Sequence, residues 1–184
     1  MMNINWLIGD STNLDPTVDL LKLKKIGSFW GSWRTWRGYQ TDNVICHDVA
    51  KAQELIDRQF YQKCNFYISN SAYQTLGRPE NVKLYEGDFI HDIKNHEEIV
   101  GMHLVASVSD VVLLLGFDFT EKNALPDKLE QHRAINYRNL VNEAIKNNPS
   151  VQWVIVEHPA EIRKDLLELS NLGTDTLSNI IDSF

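Results

Sequence analysis

No apolar run in this chain approaches the roughly 18 residues of a membrane span, and the segment Trp6–Ile8 is far too short for the core of a signal peptide. Cysteine is scarce. Cys46 and Cys64 are the only two, which excludes a disulfide-stapled secreted scaffold and leads us to expect free thiols in a reducing, cytoplasmic compartment. Basic residues are also short: 18 Lys and Arg face 25 Asp and Glu, for a formal net charge of -7. That balance disfavours a sequence-independent nucleic-acid binder, which needs a broad cationic surface. No internal repeat, low-complexity tract or linker divides the 184 residues, so one domain is expected over 1–184, with a polar tail from 170 to 184. No metal is expected. His91, Asp92, His96 and His103 share no ligand spacing, and neither His-Glu-x-x-His nor Cys-x-x-Cys occurs. No cofactor is expected either, because the dinucleotide glycine fingerprint and the Walker lysine are both missing.

What the chain does have is a series of short apolar runs, each followed by polar turn residues and then a helical pattern. The strongest is Val111-Val-Leu-Leu-Leu-Gly-Phe-Asp-Phe119, whose unbroken apolar start reads as a strand buried on both faces. Others are Asn5–Ile8, Ile26–Trp30, Asn43–Cys46, Asn65–Ile68, a weaker Val82–Tyr85 and Val151–Val156. Helices are expected at Asp19–Lys25, Val49–Tyr61, Ala72–Pro79, His96–Ser109, Lys128–Asn147 and Glu161–Leu169. Gly31–Tyr39 reads as irregular. Alternation of this kind predicts an α/β fold, a Rossmann-like three-layer sandwich with a mostly parallel sheet of about five or six strands.

In such folds ligands bind beyond the carboxyl ends of the strands. Those ends here carry Gly9-Asp10-Ser11-Thr12-Asn13, His47-Asp48, Ser69-Asn70-Ser71, Gly116 with Asp118, and Glu157-His158. The first turn, with backbone N–H groups feeding a helix, suits a phosphate; equally, it is a capped βα turn. The most unusual stretch is Phe29–Tyr39. Trp30, Trp33 and Trp36 recur every three residues, and Trp33, Arg34 and Arg37 have the chemistry to stack a base or sugar and clamp a phosphate or carboxylate. The same three tryptophans suit a protein partner, self-association or core packing.

Ile8-Gly-Asp-Ser11 resembles the opening block of the SGNH hydrolases, which implies Ser11 as nucleophile. The chain departs from that family where Phe117 replaces an oxyanion Asn and where Ile155-Val-Glu-His158 replaces the Asp-x-x-His pair. A second resemblance covers most of the chain. Gly9-Asp-Ser-Thr-Asn-Leu14, Gly101-Met-His-Leu-Val-Ala106 and Leu113-Leu-Leu-Gly-Phe-Asp-Phe119 stand in an order similar to that of an α/β group. The group holds the Campylobacter-type sialyltransferases and the proteins related to the 6-hydroxymethylpterin pyrophosphokinase MptE. This resemblance implies a nucleotide or nucleotide sugar over Gly9–Asn13 and near Gly116 and Asp118, with His132 or His158 as base. The missing second glycine of the first turn fits a member that binds without catalysing just as well.

Overall fold

The computed structural model describes residues 2–10, 19–85, 96–117, 127–156 and 169–183. Within them lies one sheet of eight strands, ordered β5-β4-β3-β2-β1-β6-β7-β8, with every pairing parallel. The strands are β1 (Ile4–Ile8), β2 (Ser28–Ser32), β3 (Asn43–Cys46), β4 (Asn65–Ser69), β5 (Lys83–Tyr85), β6 (Val111–Leu115), β7 (Gln152–Val156) and β8 (Leu172–Asp175). Helices α1 (Leu20–Ile26), α2 (Trp33–Tyr39), α3 (Val49–Asp57), α4 (Asn70–Thr75), α5 (His96–Ala106), α6 (Lys128–Lys146) and α7 (Leu177–Ser183) cover its faces. The architecture is the expected Rossmann-like α/β sandwich, with more strands than the five or six anticipated.

Strand geometry explains the two apolar layers. Successive side chains point to opposite faces, so Leu7, Val112 and Leu114 meet Met102 and Val105 of α5 and Val141 and Ile145 of α6. Their neighbours Trp6, Ile8, Leu113 and Leu115 meet Leu23 of α1 and Ile180 of α7 on the other side. Farther along that second face, Val44, Cys46, Phe66 and Ile68 pack against Ala52 and Leu55 of α3 and Ala72 of α4. Both faces of the inner strands are therefore dry, which is why they read as continuous apolar runs.

Three expectations need correction. Gly31–Tyr39 is not irregular: Ser32 caps α2, its hydroxyl accepting from the N–H groups of Arg34 and Thr35, and Gln40 closes the helix at φ 47°. The helix expected to run to Tyr61 stops at Asp57, because Gln59 turns left-handed at φ 54° and a 3₁₀ turn follows over Phe60–Gln62. The polar tail contains β8 and α7. It is anchored by Asn171, whose side-chain amide donates to the carbonyls of Ile145, Asn148 and Val151 at 3.1–3.2 Å. The helix expected at Glu161–Leu169 lies almost wholly outside the described residues.

After the edge strand β5, α5 carries the chain back across the sheet to β6, on the far side of β1. Strand order thus reverses between β1 and β6. In an open α/β sheet the crevice at such a reversal is where ligands bind.

Candidate functional site

Gly9 and Gly116 end the two strands that flank the reversal. The Gly9 N–H donates to the Leu115 carbonyl at 2.7 Å, extending the β1–β6 pairing to the rim. Gly116 sits at φ 73°, a conformation that disfavours any side chain. At Gly9 the limit is space. A β-carbon there would overlap the Gly116 carbonyl oxygen and lie 2.8 Å from its carbon and 2.9 Å from Glu98 Oε1. The rim is therefore bare backbone on both strands.

Carboxylates gather around it. The Asp10 N–H donates to Glu98 Oε1 at 2.6 Å, and the Tyr137 hydroxyl of α6 donates to Glu98 Oε2. Asp10 in turn accepts from Ser32 Oγ at 2.5 Å and from Arg34 Nη1 at 3.1 Å. The same Arg34 nitrogen reaches Glu97 Oε2 at 3.5 Å, and Glu97 Oε1 stands 3.5 Å from the His47 N–H. Glu97 and Glu98 are only 6% and 2% exposed, whereas the Arg34 side chain is 51% exposed. Two buried acids are tolerable here because they occupy the first turn of α5, where helix N–H groups and the macrodipole favour negative charge, and because each has hydrogen-bond donors. Next to Tyr137, Arg138 is also buried, at 4% exposure.

The polar rim continues along the strand ends toward β5. His47 Nδ1 lies 3.1 Å from the Tyr85 hydroxyl, and Ser69 is the N-cap of α4. Burial first, and the Glu97 charge second, raise the Tyr85 phenol well above its ordinary value, so it stays protonated. Cys46, beside His47, is raised by the same two causes and is an inert buried thiol.

The expected site residues divide as follows. Gly9, Asp10, Gly116 and Arg34 come together at the reversal. Ser11, Thr12, Asn13, Asp118 and His158 lie outside the described residues. His132 is exposed on α6, five residues from Tyr137 and so turned well away from the buried face of that helix. The tryptophans pack within the chain. Trp30 is buried with its ring 5.4 Å from that of Tyr67, Trp36 sits edge-on to Phe60 at 4.7 Å, and Trp33 is half-buried. Arg34, Arg37 and Lys51 stand over the Trp33 ring at 5.0, 6.0 and 4.6 Å. Sequence reasoning missed Ser32, Glu97, Glu98 and Tyr137. Two acids opening a helix look like ordinary first-turn residues, and the available signal was their place before an entirely apolar Ile99-Val100.

Among the described residues no group of His, Cys, Asp and Glu has the arrangement of a metal site, and no helix is long and apolar enough to cross a membrane. No family model matches the chain, nor does any curated protein or solved structure.

Proposed function

We propose that this chain binds a nucleotide or nucleotide sugar in the crevice between the carboxyl ends of β1 and β6, with glycosyl transfer as the chemistry of such a site. The observation that carries the reading is the convergence of two bare glycines, three carboxylates and one exposed arginine at the reversal of strand order. Gly9 and Gly116 allow a ligand to approach the backbone closely. Asp10 supplies an acceptor for a hydroxyl of a ribose or hexose, buried Glu98 and Glu97 hold the Asp10 backbone and Arg34 in place, and Arg34 is a cation placed for a phosphate. A ligand of phosphate alone fits poorly, because the carboxylates outnumber Arg34; hydroxyl donors beside the phosphate resolve that mismatch.

The test is a thermal-shift screen against nucleoside phosphates and nucleotide sugars, with and without Mg²⁺. A ligand at 100-fold over its Kd adds about 2.7 kcal/mol, hence roughly 5–10 °C in melting temperature for a chain of this size. Arg34→Ala should abolish a genuine shift; because the buried Glu97 carboxylate loses its cation, the variant should also melt lower without ligand, so the quantity compared is the ligand-induced shift within each protein. A blank across the panel refutes the reading. A hit followed by a turnover assay separates transfer from binding alone.

A further inference from the structure

We infer that the crevice continues into a second anion subsite, where Arg34, Arg37 and Lys51 around Trp33 select ligands carrying two linked phosphates. The inference rests on the crevice reading above for the nucleoside end of the ligand, while the anion preference of the cluster is testable by itself. Trp33 opens α2 directly after β2, and Lys51 lies in the first turn of α3, shortly after β3. Those strands are the next along the sheet from β1, so the cluster stands on the same carboxyl edge as Gly9 and Asp10. Arg34 joins the two places. Its Nη1 reaches Asp10 and Glu97, while its guanidinium carbon stands 5.0 Å from the Trp33 ring centre. Its Nη2 and Nε have no hydrogen-bond partner among the described residues.

Arg37 and Lys51 stand over the same ring at 6.0 and 4.6 Å. An indole has two faces, so at least two of the three cations share one. Gathering like charges is unfavourable, and the ring quadrupole offsets that only in part. The local carboxylates leave the charge unbalanced. Glu54 accepts from Lys51 at 2.7 Å but is shared with Arg58 at 3.1 Å, and the exposed Arg37 has no ion pair or hydrogen bond among the described residues. Positive charge is therefore in surplus on this side of Arg34, in a chain whose formal net charge is -7. One phosphate beside Arg34 meets a single guanidinium. A second phosphate linked to it reaches the cations around Trp33, where the free fork of Arg37 suits bidentate pairing. With cations over its ring, Trp33 holds them in place and does not stack a base.

Titration calorimetry of the intact protein at fixed ionic strength tests this with inorganic orthophosphate and pyrophosphate. Pyrophosphate should bind tighter by about tenfold or more, and Arg37→Gln should remove that advantage. Lys51→Gln should weaken pyrophosphate as well, and Arg37→Lys should recover part of the binding. Lys146→Gln, which removes the same charge from the far end of α6, should change nothing. Equal affinity for the two anions, or equal losses in Arg37→Gln and Lys146→Gln, overturns the subsite. Uridine monophosphate and uridine diphosphate then separate it from the crevice reading. A preference for the diphosphate that Arg37→Gln abolishes joins the cluster to the crevice. Equal binding of both nucleotides, indifferent to Arg37→Gln, overturns the subsite and leaves the crevice standing. Selective pyrophosphate binding with neither nucleotide bound supports the cluster and counts against the crevice as a site for this nucleoside.

Discussion

A methyl group should have opposite effects at two glycines of this chain. At Gly9 the added β-carbon would overlap the Gly116 carbonyl and press on the Glu98 carboxylate at 2.9 Å. Neither neighbour can yield cheaply. Gly116 is backbone tied to β6 at a left-handed φ, and Glu98 is held by the Asp10 N–H and the Tyr137 hydroxyl. Overpacking a rigid site costs about 1–3 kcal/mol, and displacing a buried carboxylate from a charged hydrogen bond adds about 1.5–3 kcal/mol. We expect Gly9→Ala to lose about 3 kcal/mol, or roughly 6–12 °C of melting temperature at this chain length. At Gly38, inside α2, nothing lies within 4 Å of the same β-carbon, and the residue is exposed. There the helix propensity of alanine should add about 0.5–1 kcal/mol. Urea denaturation of both variants, with unchanged m-values, is the assay. Gly9→Ala unfolding with the wild type, or both variants losing alike, would refute the geometry of the rim.

Tyr137→Phe removes one of the donors holding the buried Glu98 carboxylate and should destabilise by about 1.5–3 kcal/mol, read from the urea midpoint. Asn171→Ala should cost about 1–2 kcal/mol, because three carbonyls between α6 and β7 lose their shared donor; hydrogen exchange should quicken in β8 before β7. Burial pushes the Cys64 thiol up to about 12 from its ordinary 9.0 and raises Cys46 further. The unfolded chain therefore ionises first, so stability is full below about 9.0 and lost as pH climbs toward 12. Cys46→Ala should flatten that slope, and a stability independent of alkaline pH would contradict the burial of Cys46 and the partial burial of Cys64. Neither thiol should react with iodoacetamide at neutral pH in the native state.

The inner sheet was readable because strands dry on both faces can hardly be anything but apolar runs. Asn43–Cys46 and Val111–Leu115 fell where the sequence placed them. β8 was hidden because it is an edge strand. Leu172-Gly-Thr-Asp175 buries only Leu172, and its place is secured by the side chain of Asn171. α2 was hidden by its glycine and its aromatics, although Ser32 offered a capping signal. For the site, Gly9, Asp10, Gly116 and Arg34 could be named because turn glycines and charged residues after strands are a local pattern. Glu97, Glu98, Ser32 and Tyr137 could not, since Glu97 and Glu98 arrive with the return of α5 across the sheet, Tyr137 reaches Glu98 from α6, and Ser32 meets Asp10 across the β1–β2 pairing; nothing local encodes those long-range contacts.

The position of β1 has a consequence for how the chain assembles. Its partners are β2, about twenty residues on, and β6, which begins at Val111. During synthesis the first five strands can pair in order, each with its immediate predecessor, and grow outward from β1 to β5. Throughout that interval the opposite side of β1 presents unpaired N–H and C=O groups alongside Trp6 and Leu7, with α5 not yet made to cover them. Closure waits for a contact spanning more than a hundred residues, the sort of non-local pairing that slows folding and exposes an open strand edge to other chains. The crevice between Gly9 and Gly116 thus exists only once β6 has reached β1, so the candidate site waits on this long-range pairing.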